Sequence, residues 1–258
     1  MIYNHSVHQV SLALIFVAPF VGSFLGVVID RLPRRKPFLI GRSRCDACGK
    51  AIPFWHLVPL LSFIWLGGRA ACCGAPIPRR HPMVELAAAA LAVLSVLLLP
   101  PPFLAFQGAV LGWLLLALAW IDAKRFILPD QLTLTLLVAG LAFAGLAALP
   151  AHILGAALGY GSFRLISLLY LRWRGQEGLG HGDAKLLAAG GAWAGPLALA
   201  DIILVAALLG VIYTLVVQRR RRGGLWRRRL PFGPPLALAI WLVWMAGTAY
   251  GHQSGAPS

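Results

Sequence analysis

Three observations predict that this chain is an all-α, polytopic membrane protein with about eight transmembrane helices. Hydrophobic residues fill 59% of the 258 positions and charged residues only 12%, whereas a soluble domain is nearer half apolar and a quarter charged. The apolar residues form runs close to the roughly 20 residues that a helix needs to cross the hydrocarbon core. The basic residues lie in blocks between these runs, and such blocks fix the orientation of membrane proteins.

Eight apolar windows give the predicted helices. They are 9–29, 83–99, 103–121, 131–149, 151–171, 184–197, 200–217 and 234–250. The sixth window is short and rich in Ala and Gly, which suits a helix packed closely inside a bundle. Residues 1–9 contain no Lys or Arg and so lack the basic segment of a signal peptide. We therefore expect the first helix to be retained.

The connections between the windows alternate in charge. Lys and Arg occur at 31–82, 124–125, 172–185 and 219–229, and they are missing at 100–102, 149–152 and 196–201. Under the positive-inside rule, this alternation places the basic connections in the cytoplasm and both termini in the periplasm. Every Lys and Arg except Arg164 then lies on the cytoplasmic side. Arg164 falls within the fifth window, where it can snorkel to the headgroups or face the aspartates or the substrate.

This topology divides the chain into a first transmembrane helix at 1–30, a basic cytoplasmic loop at 31–82, and a seven-helix membrane domain at 83–258. The net charge of +15 follows from the basic blocks. We expect those at 219–222 and 227–229 to fix the orientation and to contact anionic lipid. Because the charge is distributed in this way, we expect membrane lipid and no nucleic acid as a partner.

Two of the eight acidic residues stand where a predicted helix meets the cytoplasm. Asp122 ends the third helix and Asp183 opens the sixth, so the topology puts both carboxylates at the same depth. An ionisable group near a span is costly and calls for a functional or structural reason. Two carboxylates that share a site can hold one proton, so that one activates water and the other protonates a carbonyl.

Two other interpretations of these aspartates remain open. Asp183 also fits a residue that caps the N-terminus of its helix beside Lys185. Membrane aspartates bind ions in ion-coupled transporters as well. Carriers of that kind place the carboxylates near the bilayer midplane and have repeat-related halves, and this sequence shows no evident internal repeat.

The segment GHGD at 180–183 resembles the GxGD signature of the type 4 prepilin peptidase family, the leader peptidases of type IV pili and type II secretion. Further motifs of that family accompany it in the same order. They are GSFL at 22–25, VIDRLP at 28–33, PMVEL at 82–86, ID at 121–122 leading to LPD at 128–130, and PFGP at 231–234. GxGD alone is a weak signal, but the motifs together nearly span the chain and make the resemblance specific.

The resemblance implies a protease of the bacterial inner membrane with Asp122 and Asp183 as catalytic aspartates. The implied substrates are prepilins and pseudopilins, which are cut after a short basic leader that ends in Gly. Many members also methylate the new N-terminal residue with S-adenosylmethionine. Glu85 aligns with a glutamate linked to that methylation, and it fits equally well as a structural partner inside the bundle. A related protein that mainly methylates or scaffolds would not need both aspartates.

The loop at 31–82 contains all four cysteines, Cys45, Cys48, Cys72 and Cys73. Because the cytoplasm is reducing, paired cysteines there predict metal ligands rather than disulfides. Two pairs of thiolates on two turns favour a structural zinc ion in tetrahedral coordination. A loop of roughly fifty residues also needs such a cross-link, since a chain segment of this size builds little core of its own.

The second half of this zinc motif departs from the family pattern. Family members with the loop typically read GRCxxCG, whereas this chain reads GRAACCG at 68–74 and has Ala70 where the third ligand belongs. Cys73 keeps its place and Cys72 is displaced by two positions, so two adjacent cysteines would have to bind one metal. Two histidines are alternative ligands, His56 and His81. The resemblance ties this loop to methylation, so loss of tight zinc would affect methylation before cleavage.

Overall fold

A computed structural model describes residues 2–35, 37, 43–175, 180–220 and 231–253. For residues 2–8, 217–220 and 252–253 it describes the backbone alone. The basic blocks at 219–222 and 227–229, for which the sequence predicts lipid contact, thus lie outside the described side chains.

Helices make up the regular structure of the described residues. In chain order they are α1 (Ile2–Arg31), α2 (Leu61–Trp65), α3 (Arg80–Leu98), α4 (Pro102–Arg125), α5 (Asp130–Phe143), α6 (Gly145–Arg174), α7 (His181–Ala194), α8 (Leu199–Arg220) and α9 (Gly233–Gln253). Short 3₁₀ turns cover Leu32–Arg34 and Phe54–Leu57. The described residues contain no strand, only two isolated bridges, Arg44 with Ala51 and Arg69 with Pro76. The all-α prediction is confirmed, and each of the eight windows overlaps mainly with a helix of its own.

Five helices are long and apolar enough to cross a membrane. Among the described residues they cover Gln9–Arg34, Arg80–Leu98, Pro102–Arg125, Gly145–Arg174 and Leu199–Val216. α5 is apolar but has only 14 residues, and α7 has 14 residues as well. The chain is therefore a multi-pass membrane protein. The total of eight spans and the topological division into helix, loop and seven-helix domain stay predictions.

The border between the fourth and fifth predicted helices differs from the prediction. The sequence placed this turn around 149–152, but α5 ends at Phe143 and α6 begins at Gly145. Gly145 has a φ of 72°, a left-handed conformation that glycine adopts without the steric cost of a side chain. The glycine thus breaks the helix, and Pro150 lies inside α6.

The chain forms two compact units, residues 1–117 and residues 118–258, and α4 contributes to both. In the first unit, α1 packs along α3. Gly22 permits this approach, because a Cβ at that position would lie 2.6 Å from the Cα of Glu85. In the second unit, α7 contacts α5, α6, α8 and α9.

Small residues allow α7 to lie at the centre of the second unit. Nine of its residues are buried, and six of these nine are Ala or Gly. A Cβ on Gly155 of α6 would overlap the backbone of α7 at Gly191. On the α5 side, the indole N–H of Trp193 donates a 2.8 Å hydrogen bond to the carbonyl of Leu136. Close packing of this short helix agrees with the prediction from its composition.

Substitution of Gly155 by alanine tests the contact between α6 and α7. The added methyl group would overlap the main chain at Gly191, and overpacking of this kind costs about 1–3 kcal/mol. We expect Gly155→Ala to lower the free energy of unfolding by that amount in detergent micelles. Gly161→Ala on the same helix is the matched control, since nothing lies within 4 Å of its Cβ. Equal stabilities of the two variants would contradict the contact.

Candidate active site and cysteine cluster

Asp122 lies in the last turn of α4, where the start of α9 holds it in place. The residue is buried, and its Oδ2 accepts a 2.9 Å hydrogen bond from the backbone N–H of Gly233. A Cβ on Gly233 would lie 2.5 Å from the same oxygen, so a glycine is needed for this approach. Gly233 lies within the PFGP motif, but the sequence does not indicate its contact with Asp122, because the two residues are 111 positions apart.

Asp183 occupies the first turn of α7, which begins after Gly180 as its N-cap. The carboxyl group accepts a hydrogen bond from the backbone of Gly180, the N-cap residue of the same helix. Burial, followed by the negative charge of Asp122, raises the pKa of Asp183 from 3.8 to about 6. α7 is not among the five spanning helices. Because the charge of Asp122 affects the pKa of Asp183, the two carboxyl groups lie within electrostatic reach of each other, which favours one shared proton.

At each glycine of GHGD, a neighbouring side chain lies close to the position that a Cβ would occupy. A Cβ on Gly180 would lie 3.2 Å from Oδ2 of Asp183, and one on Gly182 would lie 3.0 Å from the Cβ of Leu128. The segment after α4 therefore lies directly against the first turn of α7. Together with Gly233, these contacts bring three of the quoted motifs to one end of the second unit.

Charged side chains surround this end of the unit. Nζ of Lys185 on α7 lies 2.5 Å from Oδ1 of Asp130 at the start of α5. This ion pair joins the first turns of the two helices. Nη1 of Arg164 on α6 lies 3.0 Å from Nδ1 of His181. Of the two positions expected for Arg164, the structure thus shows the one beside the GHGD segment.

Glu85 belongs to the first unit, where it holds the loop that precedes α3. It is buried, and its Oε2 accepts a 2.8 Å hydrogen bond from the N–H of Leu60. Leu60 has φ 60° and ψ −50°, and the N–H of Leu61 donates to the carbonyl of Pro59 over 2.6 Å. This is a γ-turn of the strained type. The carboxyl group of Glu85 also accepts a hydrogen bond from the side chain of Ser23. These contacts agree with a structural role for Glu85, one of the two roles that the sequence left open.

Arg80 makes a second connection between the loop and the spanning helices. Its Nη2 lies 2.8 Å from Oδ2 of Asp30 near the end of α1 and 3.6 Å from Oδ2 of Asp46. Asp46 stands between the first two cysteines, so Arg80 ties the cysteine loop to α1 and α3. Sequence reasoning missed this role, for which the signal was an acidic residue inside a C-x-x-C motif.

The structure brings the four cysteines together. Their Sγ atoms all lie within 4.8 Å of one another, with 3.7 Å between Cys45 and Cys73 and 3.2 Å between Cys48 and Cys72. Four thiolates around a tetrahedral zinc ion stand about 3.8 Å apart, since the Zn–S distance is about 2.3 Å. The spacing and the donor set therefore fit a metal ion. The group found among the described residues consists of cysteines alone, without the two alternative histidines.

Two turns of the same shape carry these cysteines. In the first, the N–H of Gly49 donates to the carbonyl of Cys45, and in the second that of Gly74 donates to the carbonyl of Ala70. Both glycines have a positive φ, 72° and 70°. Ala70 therefore stands where Cys45 does in the first turn. The fourth sulfur comes from Cys72 instead.

Two family models match the chain. Residues 16–99 match the bacterial peptidase A24 N-terminal domain, and residues 109–215 match the type IV leader peptidase family. The first match contains the cysteine cluster and Glu85, and the second contains both aspartates. No solved structure matches the chain.

Curated relatives align with most of the chain. A prepilin leader peptidase/N-methyltransferase of Aeromonas salmonicida (strain A449) is 35% identical over 274 residues, which cover 94% of this chain and 93% of the relative. A protein of the same name from Dickeya chrysanthemi is 40% identical over 255 residues, covering 88% and 89%. Another, from Burkholderia pseudomallei (strain K96243), is 44% identical over 211 residues, covering 81% of this chain and 68% of the relative.

Two substitutions of Glu85 test its hold on the loop. The contact with Leu60 needs an acceptor rather than a charge, so Glu85→Gln should keep the loop in place. Glu85→Ala leaves the N–H of Leu60 without its partner, a loss of about 1–3 kcal/mol. We expect trypsin to cut the loop of Glu85→Ala at Lys50 and Arg69 several-fold faster than that of Glu85→Gln or the unmodified protein. Equal cutting rates of the two variants would show that Glu85 does not hold the loop.

Proposed function

The chain belongs to the type IV leader peptidase family, and on this premise we propose that it is a membrane aspartyl endopeptidase. Its proposed substrates are the leader peptides of type IV prepilins and pseudopilins, in keeping with the names of its relatives. The observation that carries this proposal is that Asp122 and Asp183 stand at two helix ends of one compact unit, where burial and then the charge of Asp122 raise the pKa of Asp183. Two coupled carboxyl groups at helix ends supply the acid and the base of peptide hydrolysis.

In the proposed mechanism, Asp183 carries the shared proton, because burial and the charge of Asp122 raise its pKa to about 6. The carboxylate of Asp122, oriented by the N–H of Gly233, takes a proton from water while the water oxygen attacks the scissile carbonyl carbon. Asp183 protonates the carbonyl oxygen at the same time. When the tetrahedral diol collapses, Asp122 passes its proton to the leaving amine, and a diol hydroxyl returns a proton to Asp183. Both side chains then regain their starting states.

The proposed orientation places the active site at the cytoplasmic edge of the membrane, with both termini in the periplasm. This orientation rests on the alternation of basic and non-basic connections. Asp122 near the end of α4 and Asp183 near the start of α7 suit a substrate whose apolar segment lies in the bilayer. The leader of such a substrate stays in the cytoplasm, where the carboxyl groups reach the peptide bond that follows it.

We also propose that the protein N-methylates the new N-terminus, an activity that the names of its relatives include. The implied methyl donor is S-adenosylmethionine. Glu85, the candidate from the sequence, does not fit a residue in direct contact with the donor, because its carboxyl group is bonded to Leu60 and Ser23. In this proposal, Glu85 supports methylation only through the loop that it holds.

For the cysteine cluster, we propose a structural zinc ion bound by Cys45, Cys48, Cys72 and Cys73. Support comes from the sulfur spacing and from the purely thiolate donor set, which suits zinc in a closed tetrahedral site. The ion would cross-link the two turns of the loop, whose own apolar core is small. It has no part in the proposed hydrolysis.

Asparagine at either aspartate tests the hydrolytic proposal. Each substitution removes one member of the proton relay, and general acid–base catalysis contributes roughly 10²–10⁴-fold. We therefore expect Asp122→Asn and Asp183→Asn each to slow cleavage of a prepilin-like substrate by at least about a hundredfold. The rates are measured in membranes that contain equal amounts of protein.

Asp201→Asn is the matched control for these variants. Asp201 is exposed and opens α8, so its loss should leave the cleavage rate within about twofold, as is usual for surface positions. Near-normal cleavage by Asp122→Asn or Asp183→Asn would rule out the proposed pair of carboxyl groups.

Zinc binding is tested through the displaced cysteine. Loss of an outer partner of a metal site already costs about 10–100-fold in affinity, so Cys72→Ala should weaken zinc binding by at least that factor. Adding Ala70→Cys to Cys72→Ala puts a thiolate at the regular position and should restore the affinity. Competition with a chromophoric chelator on the purified protein measures both effects. If Cys72→Ala kept the original affinity, Cys72 would not be a ligand.

A further inference from the structure

An uncharged apolar segment interrupts the basic loop before α3. Residues 54–65 read FWHLVPLLSFIW and contain no Lys, Arg, Asp or Glu, whereas Lys50 precedes them and Arg69 follows. An apolar run of about 10–14 residues is too short to span a membrane as a helix and is typical of buried, re-entrant or interfacial segments. The exposure of its side chains decides between these three.

The large side chains of this segment are exposed rather than buried. On α2, Leu61, Ile64 and Trp65 are 66%, 74% and 86% exposed, and their i, i+3, i+4 spacing puts them on one face. Phe54 and Trp55 add exposures of 78% and 55%. So many large apolar groups on one short segment form a patch of the kind that marks an interaction surface.

A hydrogen bond fixes the depth of this patch relative to the membrane. The N–H of Leu60 donates to the carboxylate of Glu85 over 2.8 Å. Glu85 is the sixth residue of α3, about 8 Å along the axis from its start. α3 has 19 residues, so its length of about 28 Å nearly equals the thickness of the hydrocarbon core. The neighbours of Leu60 therefore lie within about 10 Å of the level where headgroups meet acyl chains, the depth that interfacial segments reach.

We propose that residues 54–65, the interfacial segment, lie in the headgroup boundary of the bilayer. The partner is the lipid surface itself. Tryptophan is enriched at this boundary, and the aromatic and aliphatic side chains of the patch bury favourably there. The cations that flank the segment, Lys50 and Arg69, match anionic headgroups. Contact with lipid in this way seats the cysteine loop on the membrane surface, whether or not the proposed protease activity is correct.

Depth-dependent quenching of tryptophan fluorescence tests this placement. The full-length protein and its Trp55→Phe/Trp65→Phe variant are reconstituted in vesicles of phosphatidylethanolamine and phosphatidylglycerol. The acyl chains carry bromine either near the headgroup or near the terminal methyl group. Subtracting the variant's emission from that of the unmodified protein isolates these two among the nine tryptophans. Both side chains are exposed, so the variant should fold normally.

The difference emission should lose most of its intensity to the shallow bromines, less to the deep bromines, and little to aqueous iodide. The difference emission between the unmodified protein and Trp173→Phe supplies a reference for a tryptophan at the end of a spanning helix. Trp173 is 89% exposed at the end of α6. Strong quenching by iodide with little quenching by bromine would overturn the proposal in favour of a water-facing patch. Protection from all three quenchers would overturn it in favour of a protein cover, such as a second copy of the chain or a bound substrate.

Discussion

Backbone contact between α7 and its neighbours is the constraint on which the second unit depends. Six of the nine buried residues of α7 are Ala or Gly, and the approach of α6 leaves no room for a Cβ at Gly155. On another side, a Cβ on Gly190 would lie 2.9 Å from side-chain atoms of Ile240 on α9. Because α7 is fixed against α6 and α9 in this way, the start of α9 and the first turn of α7 are both positioned. The positions of Gly233 at the start of α9 and of Asp183 in the first turn of α7 follow from that packing.

The cysteine loop is held by polar contacts rather than by a core. The buried carboxylate of Glu85 accepts the N–H of Leu60, and Arg80 reaches both Asp30 and Asp46. A buried carboxylate needs such donors, since an unpaired polar group inside the protein costs several kcal/mol. The strained γ-turn at Leu60 is retained because it presents the N–H that Glu85 needs. Loop and spanning helices in the first unit thus stabilise each other.

Local patterns predicted the helices, and long-range contacts explain what they missed. Apolar runs and the alternation of basic connections together located the eight windows, because an apolar run of sufficient length folds as a helix in a membrane and basic residues mark the cytoplasmic connections. The end of α5 was misplaced because Gly145 breaks the helix before Pro150, and single-residue breaks are weak signals in an apolar run. The predicted topology singled out both aspartates, and the motif resemblance implied their catalytic role. The partners Gly233 and Leu60 were missed, since neither periodicity nor spacing reports which distant backbone N–H meets a carboxylate.

An infrared titration of Asp183, isolated by subtracting the Asp183→Asn spectrum, tests most directly whether the two carboxyl groups share one site. In the unmodified protein its carboxyl group should titrate with a pKa of about 6. In Asp122→Asn this pKa should fall, because a neighbouring negative charge is gone. It should stay above 3.8, because burial is the larger cause of the shift. A pKa of Asp183 that is the same with and without the charge of Asp122 would contradict the shared site.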